Sequence, residues 1–132
     1  MKQLESVAWV FQREAKVLCV RTRGKDKCFI PGGKIECGET LQQALLREIK
    51  EELGVDLVAD SISFEFTVED AAYGLEGTAL AMHCFSAAFA GQLAPCAEIE
   101  VVEWVDNSNL ALCAPAARQA VVKVLGLGDG VS

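Results

Sequence analysis

Glu48, Glu51 and Glu52 put three carboxylates within five residues, and their setting is that of a helix. Thr40-x-x-Gln43 is a capping-box pattern, good helix formers fill the interval, and Gly54 can take the left-handed conformation that closes a helix. The spacing predicts a helix from about Thr40 to Leu53. At about 100° per residue, Leu41, Leu45, Ile49 and Leu53 form its core stripe, Glu48 and Glu52 fall within roughly 20° of Leu41, and Glu51 lies about 80° away. Like charges at this spacing repel by a few tenths of a kcal/mol per pair in water and by more when desolvated, so a cation belongs among them. A merely solvated acidic face is the competing reading. Lys50 and Gln43 occupy the opposite side, however, while the acids adjoin the stripe that must be buried. Hard oxygen ligands on a stiff element suit Mg²⁺ or Mn²⁺, which keep several waters and use a few carboxylates plus a substrate's phosphate oxygens.

Just upstream, Pro31-Gly32-Gly33 ends the apolar run Cys28-Phe29-Ile30 with residues that permit a plain turn or close approach to a ligand. The whole stretch GGKIECGETLQQALLREIKEELGV fixes Gly33, Glu39, Arg47, Glu48, Glu51, Glu52 and Gly54 at one spacing. In this it resembles the Nudix hydrolases, most closely the MutT-type members, which also carry a Pro-Gly-Gly-Lys run ending here at Lys34. The resemblance implies an α/β fold, an α/β/α sandwich with a mixed β-sheet, and a divalent-metal enzyme that cuts a diphosphate linked to another moiety, usually a nucleoside. It implies the carbonyl of Gly32 and the carboxylates of Glu48, Glu51 and Glu52 as metal ligands, with Arg47 paired to Glu39 to hold the loop against the helix.

Counting back from Trp104, Glu98 resembles the late loop acid that in MutT-type proteins joins the metal site or helps activate water. Glu48 and Glu98 are thus the two candidates for general base, and a charged loop at a strand edge is the plainer reading of Glu98. Arg21, Arg23, Lys25 and Lys27 form a basic run in an otherwise acidic chain, either a solvated hairpin or a clamp for substrate phosphates, with Arg23 the first choice by resemblance. Lys34 and Tyr73 complete the substrate-binding candidates. Tyr73 lies where dinucleoside polyphosphate hydrolases of the family carry a tyrosine, although partial packing explains it as well. Where MutT-type sequences place a base-reading Asn in the last helix, this chain has Ala117-Arg118-Gln119, which puts selectivity for an oxidised guanine in question. The expected reaction converts a nucleoside or deoxynucleoside triphosphate to the monophosphate and pyrophosphate. The alternatives are a dinucleoside polyphosphate, ADP-ribose, or a catalytically silent nucleotide-binding domain.

The remaining sequence sets the frame for this site. Its 132 residues fit one domain, 1–132. A net charge of −7 disfavours a nucleic-acid polymer as substrate, and a small nucleotide arriving with its metal is the expected partner. No apolar run reaches membrane-spanning length and the N-terminal residues lack a signal-peptide pattern, so a cytoplasmic monomer or homodimer is expected. The six cysteines form no CxxC pair and read as reduced, mostly buried thiols, and the lone His83 as a packed residue. Strands are predicted at Val7–Phe11, Lys16–Arg21, Phe64–Val68, Thr78–Phe89 and Val101–Val105, with Gln12-Arg13-Glu14 as a turn and a second helix from Pro115 to Leu125 stopped by Gly126. Two helices separated by groups of strands give a sheet covered on both faces.

Overall fold

The computed structural model describes residues 2–126. Strand β1 (Lys2–Trp9) lies inside a four-stranded mixed sheet. It pairs parallel with β7 (Thr78–Ser86) and antiparallel with β4 (Gly32–Lys34), and β7 in turn pairs antiparallel with β6 (Ser63–Ala71). A second, antiparallel sheet joins β2 (Gln12–Arg13), β3 (Lys16–Thr22) and β9 (Ile99–Val105), and β5 (Asp56–Leu57) pairs with β8 (Phe89–Ala90). Helices α1 (Leu41–Leu53) and α2 (Pro115–Leu125) complete the fold.

Period-2 alternation sends successive side chains to opposite faces, and the runs from Val7 to Val10 and from Val17 to Val20 are apolar and buried at every position. Val7 and Trp9 of β1, with Leu18 and Val20 of β3, pack on Leu45, Ile49 and Leu53 of α1. Ala8 and Val10, with Val17 and Cys19, pack instead with Ala116, Ala117, Ala120 and Val121 of α2. One helix covers each side, which is the α/β/α arrangement. Complete burial of Leu45, Ile49 and Leu53 contributes about 1.5–3 kcal/mol per side chain and fixes the rotation of α1 about its axis.

Several boundaries differ from the sequence-based expectations. Strand β1 begins five residues before Val7 and stops at Trp9, with β2 beyond it. Gln12-Arg13 is strand rather than turn; the reversal is made by Glu14 and Ala15, both at positive φ (55° and 63°). Gly32-Gly33 is likewise part of a short strand, pairing with Ala8 and Val7. The segment expected to run from Thr78 to Phe89 is divided between β7 and β8. Leu41, assigned to the core stripe, is 37% exposed, whereas Ala44 is buried.

Candidate active site

Local signals fix α1 at both ends. Thr40 Oγ1 accepts from the backbone N–H of Gln43 (3.1 Å), the Gln43 side chain accepts from the Thr40 N–H (2.9 Å), and Gly54 closes the helix at φ 73°. With α1 seated by its leucines, Glu48 and Glu52 turn toward the edge of β4. The N–H of Gly32 donates to Glu52 Oε1 at 3.1 Å. The α-carbon of Gly33 approaches Glu48 so closely that a Cβ there would lie 2.5 Å from its carboxylate carbon.

Arg47 organises the loop in front of the helix. Its Nε and Nη2 donate to Glu39 Oε2 and Oε1 at 2.6 and 2.9 Å, Nη2 also reaches the Lys34 carbonyl (3.1 Å), and Nη1 donates to Glu48 Oε2 (3.1 Å). This fork draws the Glu39 carboxyl down to a pKa of about 2, chiefly through the Arg47 hydrogen bonds, and raises the guanidinium's own pKa further. A lysine ammonium cannot span Glu39, Glu48 and the Lys34 carbonyl together. Arg47→Lys is therefore expected to lower turnover on the order of 100-fold by releasing Glu48 and the loop. Steady-state kinetics beside a circular-dichroism spectrum check this, and near-normal turnover would remove Arg47 as the organiser.

The acids meet in one cavity of about 350 Å³ lined by Glu48, Glu51, Glu52 and Glu98 with Thr22, Ala97 and Ile99. Burial pushes the Glu52 carboxyl up to a pKa of about 8; the Gly32 N–H opposes this, and the charges of Glu48, Glu51 and Glu98 add to it. Glu48 is raised by burial against the opposing effect of Arg47. Among the described residues no three acids, histidines or cysteines converge into a finished metal cage. Glu52 and Glu48 instead spend oxygens on Gly32 N–H and Arg47. The donor set still fits a hard divalent cation, because buried, mutually repelling carboxylates are costly without positive charge, and Mg²⁺ takes only some of its oxygens from protein.

A second cavity, about 210 Å³ and mostly apolar, adjoins the first and shares Glu52 and Thr22 with it. Phe29, Tyr73, Leu80, Met82, Ala116 and Ala117 form part of its wall. Of these six, only Tyr73 is expected from the sequence to bind substrate; the others come from separate elements and read individually as core. Tyr73 Oη donates to Asp26 Oδ1 (2.9 Å) and its ring meets Phe29 edge-on. The helix α2 turns Ala116 and Ala117 toward this space, whereas Gln119 Nε2 is held by Asp70 Oδ2 at 2.7 Å.

Arg21, Arg23, Lys25 and Lys27 line neither cavity, although Arg23 bonds to Ala97, which lines the carboxylate one. Arg21 pairs with Glu100 (3.1 Å), Lys27 Nζ donates to the Ala111 carbonyl, and Arg23 Nη1 to the Ala97 carbonyl (3.2 Å). Lys34 meets the site through its carbonyl, with its side chain exposed. Cys19, Cys28, Cys84 and Cys113 are buried free thiols and Cys37 is exposed. His83 is half-buried, bonded to Thr67 Oγ1 (2.9 Å) and Glu5 Oε1 (2.6 Å). Among the described residues no helix is long and apolar enough to cross a membrane.

The sandwich thus holds a glycine-edged carboxylate cavity at a helix flank, chemically fit for a hard cation, beside an apolar cavity. The NUDIX domain model matches residues 1–124, and the chain belongs to the Nudix hydrolase family. It is 40% identical over 53 residues to an ADP-ribose pyrophosphatase of Methanocaldococcus jannaschii, covering 38% of this chain and 31% of that protein. It is 38% identical over 60 residues to the 8-oxo-dGTP diphosphatase of Escherichia coli, covering 42% and 46%. The matched segments thus span less than half the length of these curated relatives. The crystal structure of a MutT NUDIX hydrolase from Burkholderia pseudomallei superposes with a TM-score of 0.76 over 94% of this chain and 99% of that one, at 22% identity, which shows a shared fold.

Proposed function

We propose that this protein is a Mg²⁺-dependent pyrophosphohydrolase that converts a nucleoside or deoxynucleoside triphosphate to the monophosphate and pyrophosphate. The observation that carries this reading is the adjacency of the two cavities: a four-carboxylate chamber and an apolar one share Glu52 and Thr22 in their walls. A triphosphate and its metal suit the first, and a flat base suits the second.

Bound Mg²⁺, held by Glu48, Glu51, Glu52 and Glu98 with the Gly32 carbonyl, would neutralise the diphosphate and acidify water. The chain's own residues supply position and a base. Arg47 and Glu39 keep the β4 edge and α1 in register, so that the carboxylates keep their places during reaction. Water oxygen bonds to phosphorus as the bridging P–O bond between the α and β groups breaks; the departing phosphate takes the bond electrons, and a carboxylate accepts the water proton. Glu48 and Glu98, which line the chamber with Glu51 and Glu52, are the two candidates for that proton.

A panel of dNTPs, NTPs, oxidised dGTP, ADP-ribose and diadenosine polyphosphates, with products identified by mass in ¹⁸O-labelled water, tests the reading. The expected result is monophosphate plus pyrophosphate from a triphosphate, abolished by chelator. Label in the monophosphate marks attack at the α-phosphorus, and label in pyrophosphate attack at the β-phosphorus. AMP plus ribose phosphate as the preferred products would replace it with the activity named for the Methanocaldococcus relative. Metal-independent turnover, or none with every compound, would overturn it.

A further inference from the structure

Glu98 is the one acid of the carboxylate cavity that α1 does not carry, so the shape of its loop decides where it points. Three features shape that loop. Ala97 sits at φ 53°, a left-handed conformation that costs an alanine energy and persists only when its surroundings enforce it. The pairing of β3 with β9 slips between Arg21↔Val101 and Thr22↔Ile99, leaving Glu100 as an extra residue whose bulge redirects the strand as it leaves the loop. The loop is also tied to the end of α1, since the N–H groups of Cys96 and Ala94 donate to the carbonyls of Glu52 (2.9 Å) and Leu53 (3.1 Å).

The remaining constraint comes from a single residue. The backbone N–H of Arg23 donates to the Glu98 carbonyl at 2.9 Å, and its side-chain Nη1 donates to the Ala97 carbonyl at 3.2 Å. These carbonyls belong to the two peptide groups on either side of the Glu98 α-carbon, and fixing both planes fixes the direction of its Cα–Cβ bond. Arg23 itself lines neither cavity. We propose that Arg23 is a positioning residue which, by gripping both peptides that flank Glu98, aims that carboxylate into the metal chamber, and that it is not a ligand of the substrate phosphates. This deepens the pyrophosphohydrolase reading and rests on it for its kinetic consequences.

The test is a double-mutant cycle of Arg23→Ala and Glu98→Gln in the full chain, with the triphosphate that the panel identifies and Mg²⁺ saturating. Removing the side-chain half of the grip is expected to lower kcat about fivefold with KM changed less than about twofold, and to have no further effect when Glu98 is already Gln. Arg23→Lys, which retains charge and one donor, should recover part of the loss. A KM raised tenfold or more, or an equal loss in the Glu98→Gln background, would make Arg23 a phosphate contact and overturn the proposal. If the unmutated protein turns over no compound, the functional reading fails by itself and the grip is read by hydrogen exchange. The amides of Cys96 and Ile99 should then exchange several-fold faster in Arg23→Ala at unchanged Tm, whereas unchanged exchange would overturn it.

Discussion

Glu52→Gln is expected to abolish metal-dependent turnover, by several orders of magnitude, while making the metal-free protein more stable above neutral pH. Both effects come from one placement. Glu52 is the most deeply set of the carboxylates, and the Gly32 N–H is the only hydrogen-bond donor it has among the described residues. Burial and the neighbouring acids raise its folded pKa to about 8 from an ordinary value of 4.5. Since the folded value is the higher, the folded state holds a proton that the unfolded chain has already lost, and the associated stability is fully present below about pH 4.5. It is lost as pH rises through about 8 and stays lost above that. A neutral glutamine has no such decline. In chelator, the variant's advantage should therefore open between pH 4.5 and 8 and level off beyond, reaching on the order of a few kcal/mol. Excess Mg²⁺ should reverse the comparison, because a ligand that binds the folded state raises the Tm of the unmutated protein and has lost a ligand group in the variant. Melting curves across pH, with chelator and with Mg²⁺, give all three expectations. Equal Tm values at pH 9 in chelator would mean that Glu52 is not a repressed charge. Undiminished turnover would remove it from the metal site.

What the chain reveals before folding is the part that local chemistry governs. Thr40, Gln43 and Gly54 terminate α1 by contacts within a few residues, so that helix was legible to within one residue at each end. The same holds for Pro115 and Gly126 around α2. The fork between Arg47 and Glu39 spans eight residues and was legible through the motif that contains both. Errors concentrate where distant segments decide. Leu41 obeys the helical period yet stands 37% exposed, and periodicity cannot report how far a neighbouring layer extends. Glu14 and Ala15 turn the chain at positive φ without the Gly, Asn or Asp that normally announces such a turn. The left-handed Ala97 that orients Glu98 is equally silent in sequence. The apolar cavity draws on β1, β3, β4, α1, β6, β7, α2 and the segments between them, so it exists only after the sheets and helices have met.

The two adjacent glycines of the β4 edge should fail in opposite ways. A Cβ at Gly33 would come within 2.5–2.7 Å of the carboxylate atoms of Glu48, the movable end of a flexible side chain. Gly33→Ala is therefore expected to fold, with a Tm close to that of the unmutated protein, because Glu48 can swing away. Its displacement would remove one of the proposed metal ligands and weaken the Arg47 contact, and turnover should fall on the order of 100-fold or more. A Cβ at Gly32 meets backbone instead, the Val7 carbonyl oxygen and the Ala8 α-carbon, from a conformation at φ 149° that side chains rarely adopt. Nothing there can rotate aside. Gly32→Ala should separate β4 from β1 and destabilise the fold by roughly 2–5 kcal/mol, as strong overpacking against a special backbone conformation does. Denaturant unfolding and kcat measured on both variants separate the two outcomes. Were Gly33→Ala as unstable as Gly32→Ala, Glu48 would be locked by its surroundings rather than held in place by the absence of a methyl group, and the close approach at Gly33 would serve packing alone. If stability were kept and turnover lost, the bare α-carbon at Gly33 would be the space that the metal-binding position of Glu48 requires.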